Sequence, residues 1–155
     1  MTYRYDNVIT LRSFSKAYGL GGVRIGYGFA HSDLISNLLK VKVPFEPSTL
    51  GQIAGLAAIS DTDFLKKTIK LNKNGMNFLS NQLDTLGVKH IKSAANFITT
   101  VWDSESMAKE LTITLMNMGV IVRHLDTFGW PNCIRISIGL EKENEQFISS
   151  LGEIL

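Results

Sequence analysis

One lysine in this chain stands where an amine could be put to chemical use. Lys16 closely follows an apolar run, residues 8–11, with hydroxyls at Ser13 and Ser15 beside it. Glycines follow at positions 19, 21 and 22, and Arg24 opens a second apolar run. A lysine amine condenses with an aldehyde only when unprotonated, a state favoured by neighbouring cations and by poor hydration. A guanidinium grips phosphate through its planar fork, and hydroxyls complete such a cradle. A turn of this composition can therefore hold a phosphate and leave one amine free to react. It is not a nucleotide-binding P-loop, because G-x-x-x-x-G-K-[ST] occurs nowhere in the chain.

Two more arginines invite a chemical reading. Arg135 interrupts an otherwise apolar alternation, Ile134, Ile136 and Ile138. An arginine in such a strand either pairs with a nearby acid or serves to bind an anion, for which a bidentate carboxylate pair gives both affinity and orientation. Arg123 ends the apolar stretch G-V-I-V and reads either as a solvated strand end or as a second anion contact. Asn96 precedes a strand candidate, a place that ordinary turn chemistry also fills with asparagine.

The stretch S-F-S-K-A-Y-G-L-G-G-V-R-I-G, residues 13–26, resembles the cofactor-lysine motif of the fold-type I pyridoxal-phosphate aminotransferases. The C-terminal stretch G-V-I-V-R-H-L-D-T-F-G-W-P-N-C-I-R-I-S-I-G is similar to the small domain of the histidinol-phosphate branch of that family. The resemblance implies pyridoxal 5'-phosphate as cofactor, with Lys16 as the lysine that carries it. Ser13, Ser15 and Arg24 become its phosphate ligands. Arg135 becomes the arginine for the substrate α-carboxylate, Arg123 a contact for a distal phosphate, and Asn96 a residue at the mouth of the site. It further implies transamination between an amino donor and a 2-oxo acid, in a homodimer. The donor would be histidinol phosphate, with 2-oxoglutarate, or an aromatic amino acid. The stretch P-F-E-P-S, where many members carry P-F-N-V, departs from the histidinol-phosphate pattern. The resemblance spans essentially the whole chain, while family members are much longer. The aspartate, tyrosine, asparagine and stacking aromatic that complete the family's cofactor site would lie upstream of Met1, so the chain alone is expected to be inactive.

Composition narrows the alternatives. The chain has 155 residues, 45% hydrophobic and 19% charged, with a net charge of +2. The apolar fraction is enough for a sizeable core, and the charged fraction, below the usual quarter or so, suggests apolar surface covered by a partner. The net charge is too small to argue for nucleic acid or an acidic membrane. No apolar run is long enough to span a membrane, and the first residues lack the apolar core of a signal peptide. Cys133 is the only cysteine, and His31, His90 and His124 are scattered, which leaves no metal-ligand spacing. A soluble, cytoplasmic protein without a metal is expected.

The elements that must position these residues alternate between strand and helix, which predicts an α/β fold. Residues 8–11 and 23–29 read as buried strands on either side of the lysine turn. A helix capped by Ser32 or Asp33 follows, stopped by Pro44 and Pro47, and then a helix over about 49–59 rich in small residues. Leu65, Ile69, Met76, Leu79, Leu83 and Leu86 define one helical face over residues 62–86. A domain boundary near residue 72 on that helix is expected. Residues 1–72 would then be the end of a large mixed-sheet cofactor domain and 73–155 a small α/β C-terminal domain. Within the latter, 88–91, 97–101, 120–123 and 134–138 read as strands. Two other functions fit the same residues: a pyridoxal-phosphate decarboxylase of the same fold, and a non-catalytic aminotransferase-like module that senses a ligand or only packs.

Overall fold

The computed structural model describes residues 4–155. The chain divides into two compact units, Met1–Thr68 and Ile69–Leu155.

The first unit is built on two antiparallel strands, β1 (Thr10–Ser13) and β2 (Gly26–Phe29), with Ser13 opposite Gly26 and Thr10 opposite Phe29. Between them the chain makes the lysine turn and a 3-10 turn at Gly21–Val23. Two helices follow, α1 (Ser32–Val41) and α2 (Thr49–Ser60). The strands correct the expectation of burial. Leu11 is 73% exposed and Phe29 49%, because β1 and β2 pair only with each other among the described residues. The one large apolar side chain buried in this unit, among the described residues, is Phe14. Its ring packs against Tyr18 and Tyr27.

Helix starts follow local hydrogen-bond chemistry. The cap of α1 is His31, whose Nδ1 accepts from the Asp33 N–H, one position ahead of the expected Ser32. Ser48 caps α2 by accepting from the Gly51 N–H at 3.1 Å, which satisfies one of the first-turn donors that have no helical partner. The small residues of α2 have a packing reason. A Cβ on Gly55 would lie 2.9 Å from Ile25 Cδ1 and 3.8 Å from the Phe14 ring, so a larger residue there would have to push the end of the Ile25 side chain aside.

Helix α3 (Thr62–Thr85) crosses the division between the units. Gly87, at φ 71°, ends its last turn, and the Val88 N–H returns to the Leu83 carbonyl, the usual glycine stop. The second unit then runs β3 (His90–Ile91), β4 (Phe97–Val101), α4 (Glu105–Asn117), β5 (Arg123–His124), β6 (Cys133–Ser137) and α5 (Glu141–Ile154). The four strands form an antiparallel sheet in the order β3-β4-β6-β5.

Alternation along β4 and β6 divides the sheet's two faces. Ile98, Thr100, Ile134 and Ile136 enter the core with Leu79 and Leu83 of α3, Leu111 and Leu115 of α4, and Phe147 and Leu151 of α5. Each such aliphatic or aromatic side chain stabilises the fold by about 1.5–3 kcal/mol. Thr100, the polar member, is satisfied: its hydroxyl donates to the Ile134 carbonyl and accepts from Trp102 Nε1. The other face carries Phe97, Thr99, Arg123 and Arg135. No helix of the described residues is long and apolar enough to cross a membrane.

Candidate functional site

The lysine turn is organised by its own backbone. The Lys16 carbonyl accepts from the Gly19 N–H at 2.9 Å, with Gly19 at φ 70°. Phe14 accepts from the Leu20 N–H and donates to the Ile25 carbonyl, which ties both ends of the turn to the buried ring beneath. The Ser13 hydroxyl accepts from the Ser15 N–H at 3.0 Å, so Ser13 Oγ keeps its proton free to donate. A Cβ on Gly21 would sit 3.3 Å from the Ser15 carbonyl. That close approach brings the 3-10 turn against the hydroxyl segment. Lys16 itself is exposed, which corrects the expectation that flanking strands limit its hydration. Those strands are bare on their outer surface.

Arg24 is the least ordinary residue of the turn. It lies in the left-handed region, φ 59° and ψ 52°, closing the 3-10 turn, and its Nη1 donates to the Gly21 carbonyl at 2.7 Å. A side chain in that region costs about 1–3 kcal/mol and concentrates at functional sites. The conformation folds the guanidinium back over the glycine turn. One amine, two hydroxyls and one guanidinium thus share a single short turn. That donor set suits a phosphate-bearing aldehyde.

In the second unit, β5 and β6 place Arg123 directly opposite Arg135, and β4 places Thr99 on the other side of Arg135. Directly opposed residues share a face of the sheet. The Arg135 guanidinium carbon lies 5.1 Å from the Phe97 ring centroid, and that of Arg123 lies 4.9 Å from the Phe128 centroid. Neither arginine forms an ion pair among the described residues. Arg135 Nε is shielded from solvent and has no hydrogen-bond partner there. Asn96 stands at the start of β4, its side chain exposed and its carbonyl accepting from the Ile138 N–H at 2.9 Å.

The sequence reading missed the two aromatic supports. Phe97 and Phe128 look like ordinary core or loop residues until strand register brings Phe97, and the 3-10 turn at Asp126–Phe128 brings Phe128, beside an arginine. It also passed over His124, whose Nε2 bonds the Pro131 carbonyl and whose Nδ1 lies 3.8 Å from Asp126 Oδ1. That pair closes the loop over residues 125–132, which carries Phe128. Cys133 is buried beside it, and burial pushes its thiol pKa up.

An α/β chain carrying this lysine turn and this arginine face defines a class. Residues 2–151 match the model of the aminotransferase class I and II family, and the chain belongs to that family. Among its relatives, the histidinol-phosphate aminotransferase of Moorella thermoacetica is 42% identical over 96% of this chain and 38% of its own length. That of Campylobacter jejuni is 42% identical over 97% of this chain and 41% of its own. The crystal structure of histidinol-phosphate aminotransferase from Sinorhizobium meliloti, in complex with pyridoxal-5'-phosphate, superposes with a TM-score of 0.87. It is 31% identical, and the match covers 96% of this chain and 41% of that one. The fold is that of the fold-type I pyridoxal-phosphate enzymes. The chain spans about two fifths of the length of these relatives.

Proposed function

We propose that the protein to which this chain belongs is a pyridoxal-phosphate-dependent aminotransferase. Its amino donor would be histidinol phosphate, with 2-oxoglutarate as acceptor, or an aromatic amino acid. The observation that carries the reading is the lysine turn, where Lys16, Ser13, Ser15 and the strained Arg24 meet in one short segment. In this reading residues 1–72 contribute to the large cofactor domain and 73–155 form the small C-terminal domain.

Pyridoxal phosphate, when bound, supplies an electron sink for charge developing on the donor's Cα. Lys16 holds the cofactor's aldehyde carbon. Arg24 and the Ser13 hydroxyl hold its phosphate by charge-assisted and neutral hydrogen bonds, with Ser15 as a further hydroxyl. Once the donor's amine has taken its place on that aldehyde carbon, Lys16 Nζ would be free to act as general base and acid, taking the proton from Cα and returning it elsewhere on the reacting system. Arg135 would hold the α-carboxylate of an amino-acid or 2-oxo-acid substrate through its N–H groups. Arg123 would contact a distal phosphate where the substrate carries one, as histidinol phosphate does, and Asn96 lines the entrance. Fixing the substrate's anionic group raises the effective concentration of Cα at the lysine.

A homodimer is part of the proposal. The exposed apolar side chains of α2, among them Leu50, Ile53 and Leu56, support a covered surface. A cytoplasmic location accords with the absence of a membrane-crossing helix among the described residues. The test is an assay of the full-length protein, loaded with cofactor, against histidinol phosphate and aromatic amino acids with 2-oxoglutarate. Glutamate formation supports the reading. Carbon dioxide release without a keto product assigns a decarboxylase instead, and no visible spectral change with cofactor overturns both.

A further inference from the structure

The Arg135 guanidinium rests on a ring and not on an acid. Phe97 lies on the neighbouring strand β4, two residues before the Thr99 that opposes Arg135, and so diagonal to Arg135. Its ring centroid is 5.1 Å from the guanidinium carbon. A ring face attracts a cation through its quadrupole but accepts no in-plane hydrogen bond. It therefore steadies the cation without consuming an N–H donor. One of those donors is unsatisfied: Arg135 Nε is shielded from water and bonded to nothing among the described residues. Buried donors are nearly always paired, so this one is held ready for an acceptor that arrives from outside.

The neighbours of Arg135 supply no competing acceptor of charge. Across the strands it meets Thr99 and Arg123, and no carboxylate comes within ion-pair range among the described residues. Without the ring, the guanidinium would keep its length and charge but lose the surface that fixes its plane. A bidentate pair needs that plane, because both N–H groups must meet both oxygens at once. The corresponding ring under Arg123, Phe128, is 58% exposed, so water competes there and its hold is weaker.

We propose that Phe97 is a positioning residue that sets the plane of the Arg135 guanidinium for bidentate capture of the substrate's anionic group. The inference rests on the reading of Arg135 as the anion-binding arginine. The test is steady-state kinetics of the full-length protein run in reverse, with glutamate as the varied amino donor and the oxo product of the forward reaction as acceptor, on Phe97→Leu, Phe97→Tyr, Arg135→Lys and the Phe97→Leu/Arg135→Lys double variant. Phe97→Leu should raise KM for glutamate about threefold to thirtyfold with kcat nearly unchanged, the size of a cation–π contact. Phe97→Tyr keeps the ring and should stay close to the parent. In the Arg135→Lys background, where no planar fork remains, Phe97→Leu should add little. Phe97→Met, which fills the space without a ring, carries the same expectations as Phe97→Leu should that variant not fold. An unchanged KM in Phe97→Leu, or an equal loss in both backgrounds, overturns the positioning role while leaving Arg135 in the site. An unchanged KM in Arg135→Lys overturns the reading of Arg135 and this inference with it.

Discussion

Arg123 and Arg135 stand directly opposite each other on β5 and β6, with no acid between them among the described residues. Like charges in that register cost on the order of 0.2–1 kcal/mol. Each is offset in part by the aromatic ring beneath it. An arrangement that costs stability and lacks a structural counter-charge fits a face meant for a charged ligand.

That face yields the first prediction. In the full-length protein, Arg135→Ala should lower kcat/KM about tenfold to a hundredfold or more, the loss of a charge-assisted bidentate contact. Arg123→Ala should cost less for a donor without a phosphate, such as an aromatic amino acid, than for one that carries a distal phosphate. Steady-state kinetics with the two donor types checks both. Equal effects of Arg123→Ala on both donors would remove it from the distal position.

Arg24 allows backbone and side chain to be separated. Arg24→Gly and Arg24→Ala both lose the guanidinium and its bond to the Gly21 carbonyl. They differ in that alanine keeps a Cβ at φ 59°. The glycine variant should be more stable than the alanine variant by about 1 kcal/mol, measured by urea unfolding. Both should bind cofactor more weakly than the parent. A glycine variant no more stable than alanine would mean the left-handed conformation carries no strain here.

Gly75 tests the packing of the second unit. A Cβ there would lie 2.5 Å from Ile138 Cγ2 and 2.9 Å from Asn144 Nδ2. Asn144 cannot yield easily, since its amide accepts from the Gly139 N–H and donates to the Gly139 carbonyl. Gly75→Ala gains about 1 kcal/mol of helix propensity. Overpacking should cost about 1–3 kcal/mol and leave the variant less stable than the parent. A rise in the thermal midpoint would show that Asn144 moves aside.

Much of this was readable from the residues, for reasons that differ along the chain. The strand at Phe97–Val101 fell where expected, because its five residues are all aromatic or β-branched, the types that favour a strand. The length of α3 followed from its apolar spacing and from Gly87. Residues 120–123 misled, since an apolar run says nothing about which donors are already taken. The Val120 N–H bonds the Leu115 carbonyl and Val122 packs on the core, so the ladder opens only at Arg123. Residues 8–11 looked buried because apolar composition does not tell a covered strand from a bare one. The aromatic supports of the arginines were invisible for another reason. Phe97 and Arg135 lie far apart in sequence and meet only through strand register.

The Cys133 thiol sets an alkaline limit. Burial raises its pKa in the folded state, so the folded chain holds the thiol proton where the unfolded chain releases it. Stability from this group is fully present below the ordinary thiol pKa, about 8.5. It is lost as pH rises from there through the folded value. Cys133→Ala should flatten that alkaline decline in urea midpoints. The parent thiol should also react slowly with alkylating reagents until the protein unfolds. Rapid alkylation of the native protein would mean the site opens readily.

Lys16 carries the most direct test. Its turn is held by the Lys16–Gly19 and Phe14–Leu20 backbone bonds, so the side chain projects from a fixed base. It is exposed in this chain, so selectivity over the other lysines must come from the phosphate contacts beside it. In the proposed reading Ser13 and Arg24 supply them, raising the local concentration of the cofactor's aldehyde at one amine. In the full-length protein, borohydride treatment with pyridoxal phosphate followed by peptide mapping should place the label on Lys16. Lys16→Arg, which keeps the positive charge but cannot condense, should lose both label and activity. Arg24→Ala should spread the label over surface lysines at equal cofactor concentration. A label that remains specific in Arg24→Ala would take the phosphate away from Arg24. A label absent from Lys16 in the parent would overturn the assignment of the lysine itself.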